Sequence, residues 1–450
     1  MATDLLKNVL LKIDQAVEIS RLPDWYHTEL RGFKSRWSTD MLVEVSDPEK
    51  PGYKKTQSFK VVRVRHRTPD NSWITGGGHR YHPDVGLSQM ESHAVEMSIK
   101  SWIMGIPHGG SKGGIALDPS KLSWEDLAAI TVKCVQEAIE AGTIGPMLDR
   151  WAPDVGTNAQ IMKWMQDEFA YEMRKHHVAV TAATVTGKPI EYGGMPGRVE
   201  ATGRGLHYAL QLFRKRGVVN LPSEPRVILQ GFGNVGFNFA KLANEFGIRI
   251  VAVQDQYGGV YHPNLPLEEL LRYVESHPQK SVAGFHEICG GDFIRSNEEL
   301  FSIEADVALP AALEEVITPK IAERLKVKVL LEGANGPTLP EADNILENRR
   351  ILVIPDIYAN AGGVTVSYFE WAKDTGIKPF DDQLKLPKER DEGLVFASLQ
   401  QALKRNGDKI IGIQQNTQYK GRPISFRLAS YIYALDRVLP HFAAKRRKRI

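Results

Sequence analysis

Cysteine is scarce in this 450-residue sequence, which contains only Cys134 and Cys289, far apart in the chain. A fold held together by several disulfides is therefore excluded, as is a zinc or iron–sulfur site built from several thiolates. No apolar run approaches the length of about 18 residues that a membrane-spanning helix needs, and the N-terminus has no recognisable secretion signal. These features predict a cytoplasmic protein that does not interact with membranes.

An excess of charge of one sign is also missing. The sequence has 57 lysines and arginines against 54 aspartates and glutamates, a formal net charge of +3. Nothing in the overall charge therefore favours nucleic acid as a partner. One local exception is the basic run at positions 445–449, which at a chain end is typical of a solvated segment. The hydrophobic fraction of 42% is ordinary for a globular enzyme, and the length predicts two or three domains.

The most informative segment is Gly109–Gly114, in which Lys112 lies between two pairs of glycines. The segment has neither a helical nor a strand pattern, so we predict a loop whose backbone closely approaches whatever the ammonium contacts. In a confined site with little water the charged form of a lysine is disfavoured. A second cation nearby lowers its pKa further, towards proton exchange at neutral pH. A flexible surface loop is the alternative interpretation.

Lys100 falls on the apolar stripe of a predicted helix. The other members of that stripe are Leu87, Met90, Ala94, Met97 and Met104. An inward-facing lysine is costly unless an anion meets it, which predicts a ligand; alternatively its ammonium extends to the edge of the stripe. Before this helix, Lys60–Arg67 alternates like a half-buried strand with its arginines on the solvent side, and Trp73–Pro83 is glycine-rich and irregular.

A dinucleotide-binding site is predicted within Val227–Val253. A short apolar strand there runs into the sequence Gly231-Phe232-Gly233-Asn234-Val235-Gly236, followed by a helical pattern and a second strand. This is the context that the dinucleotide fingerprint requires. Gly231 makes the tight turn, Gly233 admits the pyrophosphate and Gly236 lets the helix pack on the strand. The amides at the helix N-terminus then face the phosphates.

Asp255 lies just after the second strand of this unit, 19 residues beyond Gly236. A carboxylate there accepts a hydrogen bond from a ribose hydroxyl and repels a 2′-phosphate, which favours NAD over NADP. Alternatively, Asp255 begins the turn at 256–259. Further apolar strands are predicted at 305–309, 327–331 and 351–354, each followed by a polar or glycine-rich loop. Ligands of doubly wound sheets bind at such carboxyl ends.

Eight motifs occur in an order that resembles the glutamate dehydrogenases, a branch of the Glu/Leu/Phe/Val dehydrogenase superfamily. They lie at 77–83, 109–114, 153–158, 186–189, 200–205, 231–236, 333–338 and 360–364. The resemblance runs from about Phe59 to about Trp371 in motifs and onward in helical pattern. It implies NAD(P)-dependent oxidative deamination of an L-amino acid, with glutamate as the first expectation, small-molecule partners and a homohexamer. The chemistry requires no metal.

The fold that follows is α/β, with two domains around a cleft. Residues 1–200, with 361–450 packing back onto them, form the substrate and assembly domain, and 201–360 form a Rossmann-like domain. By motif, the resemblance makes Lys112 the catalytic lysine, Asp154 the carboxylate that exchanges protons with the amine, and Lys100 the lysine for the α-carboxylate. It assigns the cofactor to Thr202, Asn335 and Asn360 in addition to the glycine-rich motif.

One position departs from the family pattern. The glutamate branch has a lysine immediately before the pair that matches Gly77 and Gly78, and this lysine binds the γ-carboxylate of the substrate. Here that position is Gly76, although Ser367 matches the serine that contacts the same carboxylate. Either another cation compensates, with His79 and Arg80 as candidates, or the site accepts a different amino acid. A catalytically weak paralogue that binds dinucleotide or a partner is a third hypothesis.

Overall fold

The computed structural model describes residues 5–70, 73–179, 182–377 and 383–447. The chain forms two compact units. The first comprises Met1–Arg198, Val364–Val395 and Tyr431–Ile450, and the second comprises Val199–Gly363 and Phe396–Ser430. Each unit contains a sheet and helices, so the α/β class is confirmed.

The first unit contains the strands β1 (Phe33–Ser46), β2 (Lys54–His66), β3 (Thr75–Tyr81), β4 (Gly109–Ile115) and β5 (Asp149–Pro153), with the helices α1 (Leu5–Ile19), α2 (Asp24–Leu30), α3 (Leu87–Met104), α4 (Trp124–Glu140) and α5 (Ala159–Lys175). Short 3₁₀ helices cover Pro119–Lys121, Ala182–Thr184 and Ile190–Tyr192. The sheet has the order β1-β2-β4-β3-β5, in which β3 is parallel to both of its neighbours and the other pairs are antiparallel.

The second unit contains the strands β6 (Arg226–Gln230), β7 (Arg249–Asp255), β8 (Gly258–Tyr261), β9 (Asp292–Ile294), β10 (Val307–Pro310), β11 (Val329–Leu331), β12 (Leu352–Ile354), β13 (Gln418–Tyr419) and β14 (Arg422–Pro423). Its helices are α6 (Ala201–Lys215), α7 (Asn234–Lys241), α8 (Leu267–Ser276), α9 (Phe285–Cys289), α10 (Asn297–Ser302), α11 (Pro319–Arg324), α12 (Pro340–Asn348) and α13 (Asp356–Ala359). The unit boundaries fall inside three further helices, α14 (Gly362–Thr375), α15 (Glu392–Asn416) and α16 (Phe426–Arg447).

The two glycine-rich segments are strands, which corrects the prediction of a loop at Gly109–Gly114 and of irregular chain near Gly77. Every residue of β3 and β4 is buried. A Cβ at Gly77 would lie 1.7 Å from the carbonyl oxygen of Ser111, and one at Gly110 would lie 2.0 Å from that of Ala94. Glycine is therefore required because backbones approach from the neighbouring strand and from α3, a cause that no local pattern reveals.

The register of the first sheet places the reactive side chains on one face. Gly76 pairs with Gly110 on one side and with Arg150 on the other, and directly paired residues point to the same face. Side chains alternate along a strand, so Lys112 and Arg150 share this face, and Asp154 reaches it just beyond the end of β5. Helix α3 packs here through buried Met90 and Ala94 against Val62 and Val64.

The opposite face carries the core of the first unit, where α4 and α5 pack around the fully buried Trp151. Arg63 and Arg65 also point this way and are 0% and 4% exposed, which corrects the prediction that they face water. The reason is Asp149 of β5, which lies in the same layer. Its carboxylate accepts a hydrogen bond of 2.8 Å from Nε of Arg63. A buried carboxylate thus allows a buried arginine.

The second sheet has the order β12-β11-β10-β6-β7-β8-β9, with parallel pairing from β12 to β7. The strands predicted at 227–229, 249–253, 305–309, 327–331 and 351–354 are all present, so this sheet is confirmed. Helix α7 ends at Lys241, earlier than the helical pattern suggests. The polar stretch at 355–363, predicted as a loop, is largely taken up by α13 and the start of α14.

The C-terminal region divides between the units, whereas the sequence pattern places all of 361–450 with the first. Residues 396–430 belong to the second unit, where Arg427 donates to the buried carboxylate of Glu332 at the end of β11. Of the basic run, Lys445 donates to the carbonyl of Thr68 in the first unit at 3.1 Å. Residues 448–449 lie outside the described residues.

Across these described ranges, no helix combines the length and apolar character needed to cross a bilayer. The same ranges contain no group of three His, Cys, Asp or Glu side chains placed to hold a metal ion.

Candidate active site

The centre of the site is an ion pair between Lys112 on β4 and Asp154, which follows β5. Lys112 is 2% exposed, and its Nζ donates to Oδ2 of Asp154. Gly78 on the strand between them makes this contact possible, because a Cβ there would lie 2.2 Å from the same carboxylate oxygen. The structure therefore brings together the two residues to which the sequence assigns the proton chemistry.

The turn after β5 fixes the carboxylate of Asp154. The amide of Val155 donates to Oδ1 at 2.8 Å, and the amide of Asp154 itself donates to the hydroxyl of Thr157 at 2.7 Å. Gly156 has φ of +74° and lies against the carbonyl of Tyr81, 2.1 Å from where its Cβ would be. Only glycine suits that position, so the turn holds Asp154 in a defined place.

Electrostatics tune both members of the pair. Burial lowers the pKa of Lys112, the negative charge of Asp154 raises it, and the positive charges of Arg80 and Lys100 lower it again; the net direction is downward. Burial alone raises the pKa of Asp154, but Lys112 and Arg80 outweigh burial and hold it well below its usual range. The site thus keeps an ionised carboxylate beside a lysine that releases its proton more readily than normal.

Lys100 reaches the same site from α3 and is 3% exposed. The apolar stripe of α3 rests on the sheet, so the inward-facing position predicted for this lysine is observed. Its charge is close enough to lower the pKa of Lys112. Arg80 was a candidate, from the sequence, for the cation that binds the γ-carboxylate of the substrate. Its Nε instead donates to Oδ1 of Asp154 at 3.0 Å.

His79 does not replace the missing lysine either. It lies on the opposite face of the sheet, is fully buried and stacks on Trp151 with ring centroids 4.1 Å apart. Burial and the nearby Arg63 hold its pKa well below the ordinary value, so the ring is neutral and carries no charge for a carboxylate.

A different cation lies next to Gly76. The guanidinium of Arg150 occupies the space beside it, with Nη2 only 2.7 Å from where a Cβ at position 76 would be. Its Nη1 donates to the hydroxyl of Ser367 on α14 and, at 3.0 Å, to that of Thr186. No sequence motif marks Arg150, because only the pairing of β3 with β5 places it opposite Gly76.

In the second unit, the glycine-rich motif has the geometry that a dinucleotide needs. Gly231 has φ of +91°, and a Cβ there would lie 2.6 Å from Cβ of Ala312. A Cβ at Gly236 would lie 1.9 Å from the carbonyl oxygen of Gly231, whereas one at Gly233 would meet nothing within 4 Å. Two glycines are thus required by packing, and the third borders open space before α7, where the fingerprint expects the pyrophosphate.

The other residues predicted to bind the cofactor lie at the carboxyl ends of the same sheet or on α6. Asp255 ends β7, and its two carboxylate oxygens accept from the amides of Tyr257 and Val282 at 2.9 and 2.8 Å. It therefore does begin the turn, and it presents a fixed negative charge. Asn360 donates to Oδ1 of Asn335 at 3.1 Å, so these two are in contact. Thr202 lies partly exposed near the start of α6.

Comparison with known proteins identifies the family. The family described as Glutamate/Leucine/Phenylalanine/Valine dehydrogenase matches residues 193–441, and its companion, the Glu/Leu/Phe/Val dehydrogenase dimerisation domain, matches residues 40–171. The chain belongs to the Glu/Leu/Phe/Val dehydrogenases. The resemblance drawn from the eight motifs is thereby confirmed, and the chain is an NAD(P)-dependent amino acid dehydrogenase of the glutamate dehydrogenase branch.

Several relatives are similar over most of their length. This dehydrogenase is 42% identical over 393 residues to the glutamate dehydrogenase of Thermotoga maritima, covering 86% of each chain. It is 40% identical over 362 residues to NAD-specific glutamate dehydrogenase A of Halobacterium salinarum, covering 80% of this chain and 77% of the relative. Among solved structures, the hetero-hexameric glutamate dehydrogenase of Thermus thermophilus in its Leu-bound form has a TM-score of 0.83 at 28% identity, covering 100% and 98% of the two chains.

Proposed function

We propose that this dehydrogenase catalyses the reversible oxidative deamination of L-glutamate to 2-oxoglutarate and ammonia, with NAD as the preferred cofactor. The observation that carries the proposal is the buried contact between Lys112 and Asp154 on a sheet face lined by glycine. Arg150 and Ser367 add a positive and a polar group on the same face, which suits a substrate with a second carboxylate. The relatives named glutamate dehydrogenase support the same substrate.

The residues divide the proton chemistry between them. When bound, the nicotinamide cofactor supplies the chemistry of accepting a hydride from the substrate Cα. Asp154 takes a proton from the substrate ammonium, so that the lone pair on nitrogen forms the C=N bond of the iminium. Once Lys112 has released its proton, its neutral amine removes a proton from the water that attacks the iminium carbon. Asp154 returns its proton to the nitrogen, and ammonia leaves as the C=O bond forms and the hydroxyl proton passes to the Asp154 carboxylate. The positive charge of Lys100 suits the α-carboxylate.

The Asp154→Asn substitution is expected to lower kcat by about 10²- to 10⁴-fold, because it removes the proton acceptor for the amine. It also removes the negative charge that raises the pKa of Lys112. Lys112 acts in its neutral form, so the rate rises as pH passes its pKa. The rising limb of kcat/KM for the residual activity should therefore move to lower pH. An unchanged or alkaline-shifted limb would mean that another group titrates there.

The cofactor preference is proposed from Asp255, whose charge repels a 2′-phosphate. In the Asp255→Ser variant the ratio of kcat/KM for NADP to that for NAD is expected to rise about tenfold, which corresponds to about 1.4 kcal/mol of relieved repulsion. Initial rates with each cofactor and a melting curve check this, since the amides of Tyr257 and Val282 lose an acceptor. An unchanged ratio in a folded variant would mean that Asp255 stabilises the turn but does not select between NAD and NADP.

An oligomer is also proposed. The matched family domain is described as a dimerisation domain, and the similar Thermus structure is a hetero-hexamer, so we infer a homohexamer for this chain. Its two cysteines are free, which suits a reducing cytoplasm.

The function is tested by following reduction of NAD and of NADP separately with L-glutamate, L-aspartate, L-leucine, L-phenylalanine and L-lysine. L-glutamate with NAD is expected to give the highest kcat/KM. A better apolar, aromatic or basic substrate would mean that Gly76 marks a change of specificity. Reduction with none of these amino acids, by a protein that binds the cofactor, would support the catalytically weak paralogue.

A further inference from the structure

We propose that Arg150 binds the side-chain carboxylate of the substrate, and so performs from β5 the task that the family gives to a lysine at the position of Gly76. This inference rests on the proposed function, since it specifies how glutamate is distinguished from amino acids with apolar side chains. Three observations support it, concerning the position of Arg150, its hydrogen bonds and the balance of charge around it.

The side chain of Arg150 occupies the space that a side chain at residue 76 would take. The two residues are directly paired on neighbouring strands and so point to the same face as Lys112. Where a Cβ at Gly76 would be, Nη2 and Nε of Arg150 lie only 2.7 and 3.0 Å away. The guanidinium therefore fills the space in which a longer residue at 76 would begin. A side chain at 76 would therefore require the Arg150 guanidinium to shift.

The hydrogen bonds of Arg150 leave one edge of its guanidinium without a hydrogen-bond partner. Nη1 is held by the hydroxyl and carbonyl of Ser367 and by the hydroxyl of Thr186. Nε is buried and has no hydrogen-bond partner among the described residues. The Nε–Nη2 edge, through which a guanidinium binds a carboxylate in bidentate fashion, lies against the backbone of Gly76. A bound carboxylate therefore requires the guanidinium to turn away from β3. Ser367 thus holds the arginine and lies beside the proposed ligand position.

The charges around Arg150 favour an anion. The charged side chains of this region are Arg150, Lys188, Arg198, Arg390, Glu370 and Asp374, and Asp149 and Arg63 act from the other face of the sheet. Lys188 forms ion pairs of 2.7 Å with Glu370 and 3.0 Å with Asp374, and Arg390 pairs with Asp374 as well. Both carboxylates are thus bound by other cations. In the part of the chain that the structure describes, Arg150 has no ion pair, although it is 1% exposed.

A buried cation without an ion pair is costly, and burial lowers the pKa of Arg150 to about 10, with Arg198 adding to the effect and Glu370 opposing it. A substrate carboxylate offsets that cost. The competing explanation is that Arg150 only ties β5 to α14 through Ser367. A purely structural arginine would affect all substrates equally, which separates the two explanations.

The test compares L-glutamate with L-norvaline, which has the same chain length and a methyl group in place of the distal carboxylate. Arg150→Met is expected to raise KM for glutamate about 10- to 100-fold, the effect of losing a charged hydrogen bond, with kcat/KM for norvaline unchanged or higher. In the Gly76→Lys/Arg150→Met double variant the cation returns from β3, and glutamate preference should recover. Gly76→Lys alone should not help, because its Cβ meets the Arg150 guanidinium.

Arg65→Met is the matched control, since Arg65 is a buried arginine of the same sheet that faces the other side and contacts Thr75. It should leave the ratio of glutamate to norvaline unchanged. Equal losses for both substrates in Arg150→Met, or no recovery in the double variant, would overturn the proposal for Arg150 while glutamate activity of the unaltered enzyme stands. An unaltered enzyme that prefers norvaline would overturn the proposed function itself.

Calorimetric titration with 2-oxoglutarate gives the same comparison without turnover. Binding should weaken about 10- to 100-fold in Arg150→Met and return in the double variant. Equal affinity in all three proteins would contradict the assignment even if no amino acid were oxidised.

Discussion

Replacing Lys112 with methionine is expected to reduce kcat/KM for L-glutamate by about 10³-fold, the scale of a lost general base. Methionine keeps the length and apolar part of the side chain in a position that is 2% exposed, so the strand can keep its packing. Asp154 retains its bond to Arg80, which holds the carboxylate in place. Steady-state rates with saturating cofactor measure the loss.

The control for this variant is Lys133→Met. Lys133 lies on α4 in the same unit and forms an ion pair with Glu137 at the surface, with 42% of its side chain exposed. Its replacement should leave kcat/KM within about a factor of two and stability within about 1 kcal/mol. Activity of Lys112→Met within tenfold of the unaltered enzyme, in a folded protein that binds the cofactor, would remove Lys112 from the mechanism.

The second large effect concerns stability. Arg427 is 6% exposed, and it donates to both carboxylate oxygens of Glu332 at 2.7 Å and to Asp343 and Asp356. In Arg427→Met the fully buried Glu332 loses its counter-charge. The free energy of unfolding is therefore expected to fall by about 3–5 kcal/mol, as for other broken buried pairs. Urea unfolding followed by circular dichroism measures it.

Circular dichroism is the suitable probe because all eight tryptophans belong to the first unit. Adding Glu332→Gln to Arg427→Met removes the orphaned charge and should recover part of the loss. Arg216→Met serves as the matched control, since Arg216 pairs with Asp408 at the surface of the same unit, and it should cost no more than about 1 kcal/mol. Equal effects of Arg427→Met and Arg216→Met would contradict the importance of burial.

The second sheet was predictable because its signals are local. The strand before Gly231, the helix after it and the spacing to Asp255 lie within about 30 consecutive residues, and apolar runs with glycine turns mark each element. The strands predicted at 227–229 and 305–309 are accordingly present in the sheet, as β6 and β10. The end of α7 was missed by a few residues, since the apolar period continues into the following turns.

The first sheet was less predictable because its strands owe their composition to distant neighbours. Glycine at 77 and 110 is required by the backbones of Ser111 and Ala94, and glycine lowers any local strand signal. Arg63 resembled a solvent-facing residue, since its partner Asp149 is far away in sequence. Physical pattern alone therefore pointed to loops where the structure has buried strands.

In the candidate site, too, some features were predictable from sequence motifs and others depend on how distant strands pair. The proton roles of Lys112 and Asp154 were expected from the family resemblance, and the structure places the two side chains in contact. The place of Arg150 beside Gly76 depends on the register between β3 and β5, which no sequence motif specifies. His79 and Arg80 were the candidate cations near Gly76 in the sequence. In the structure His79 stacks on Trp151, and Arg80 donates to Asp154.

The most direct test of the account is the oxidation of L-glutamate labelled with deuterium at Cα, with NAD as the acceptor. Hydride transfer from Cα predicts one deuterium in each NADH formed, none released to water, and a slower rate than with unlabelled substrate when chemistry limits turnover. Deuterium released to the solvent, or no reduction of NAD or NADP by glutamate in a protein that binds the cofactor, would contradict the assignment of this chain as a glutamate dehydrogenase.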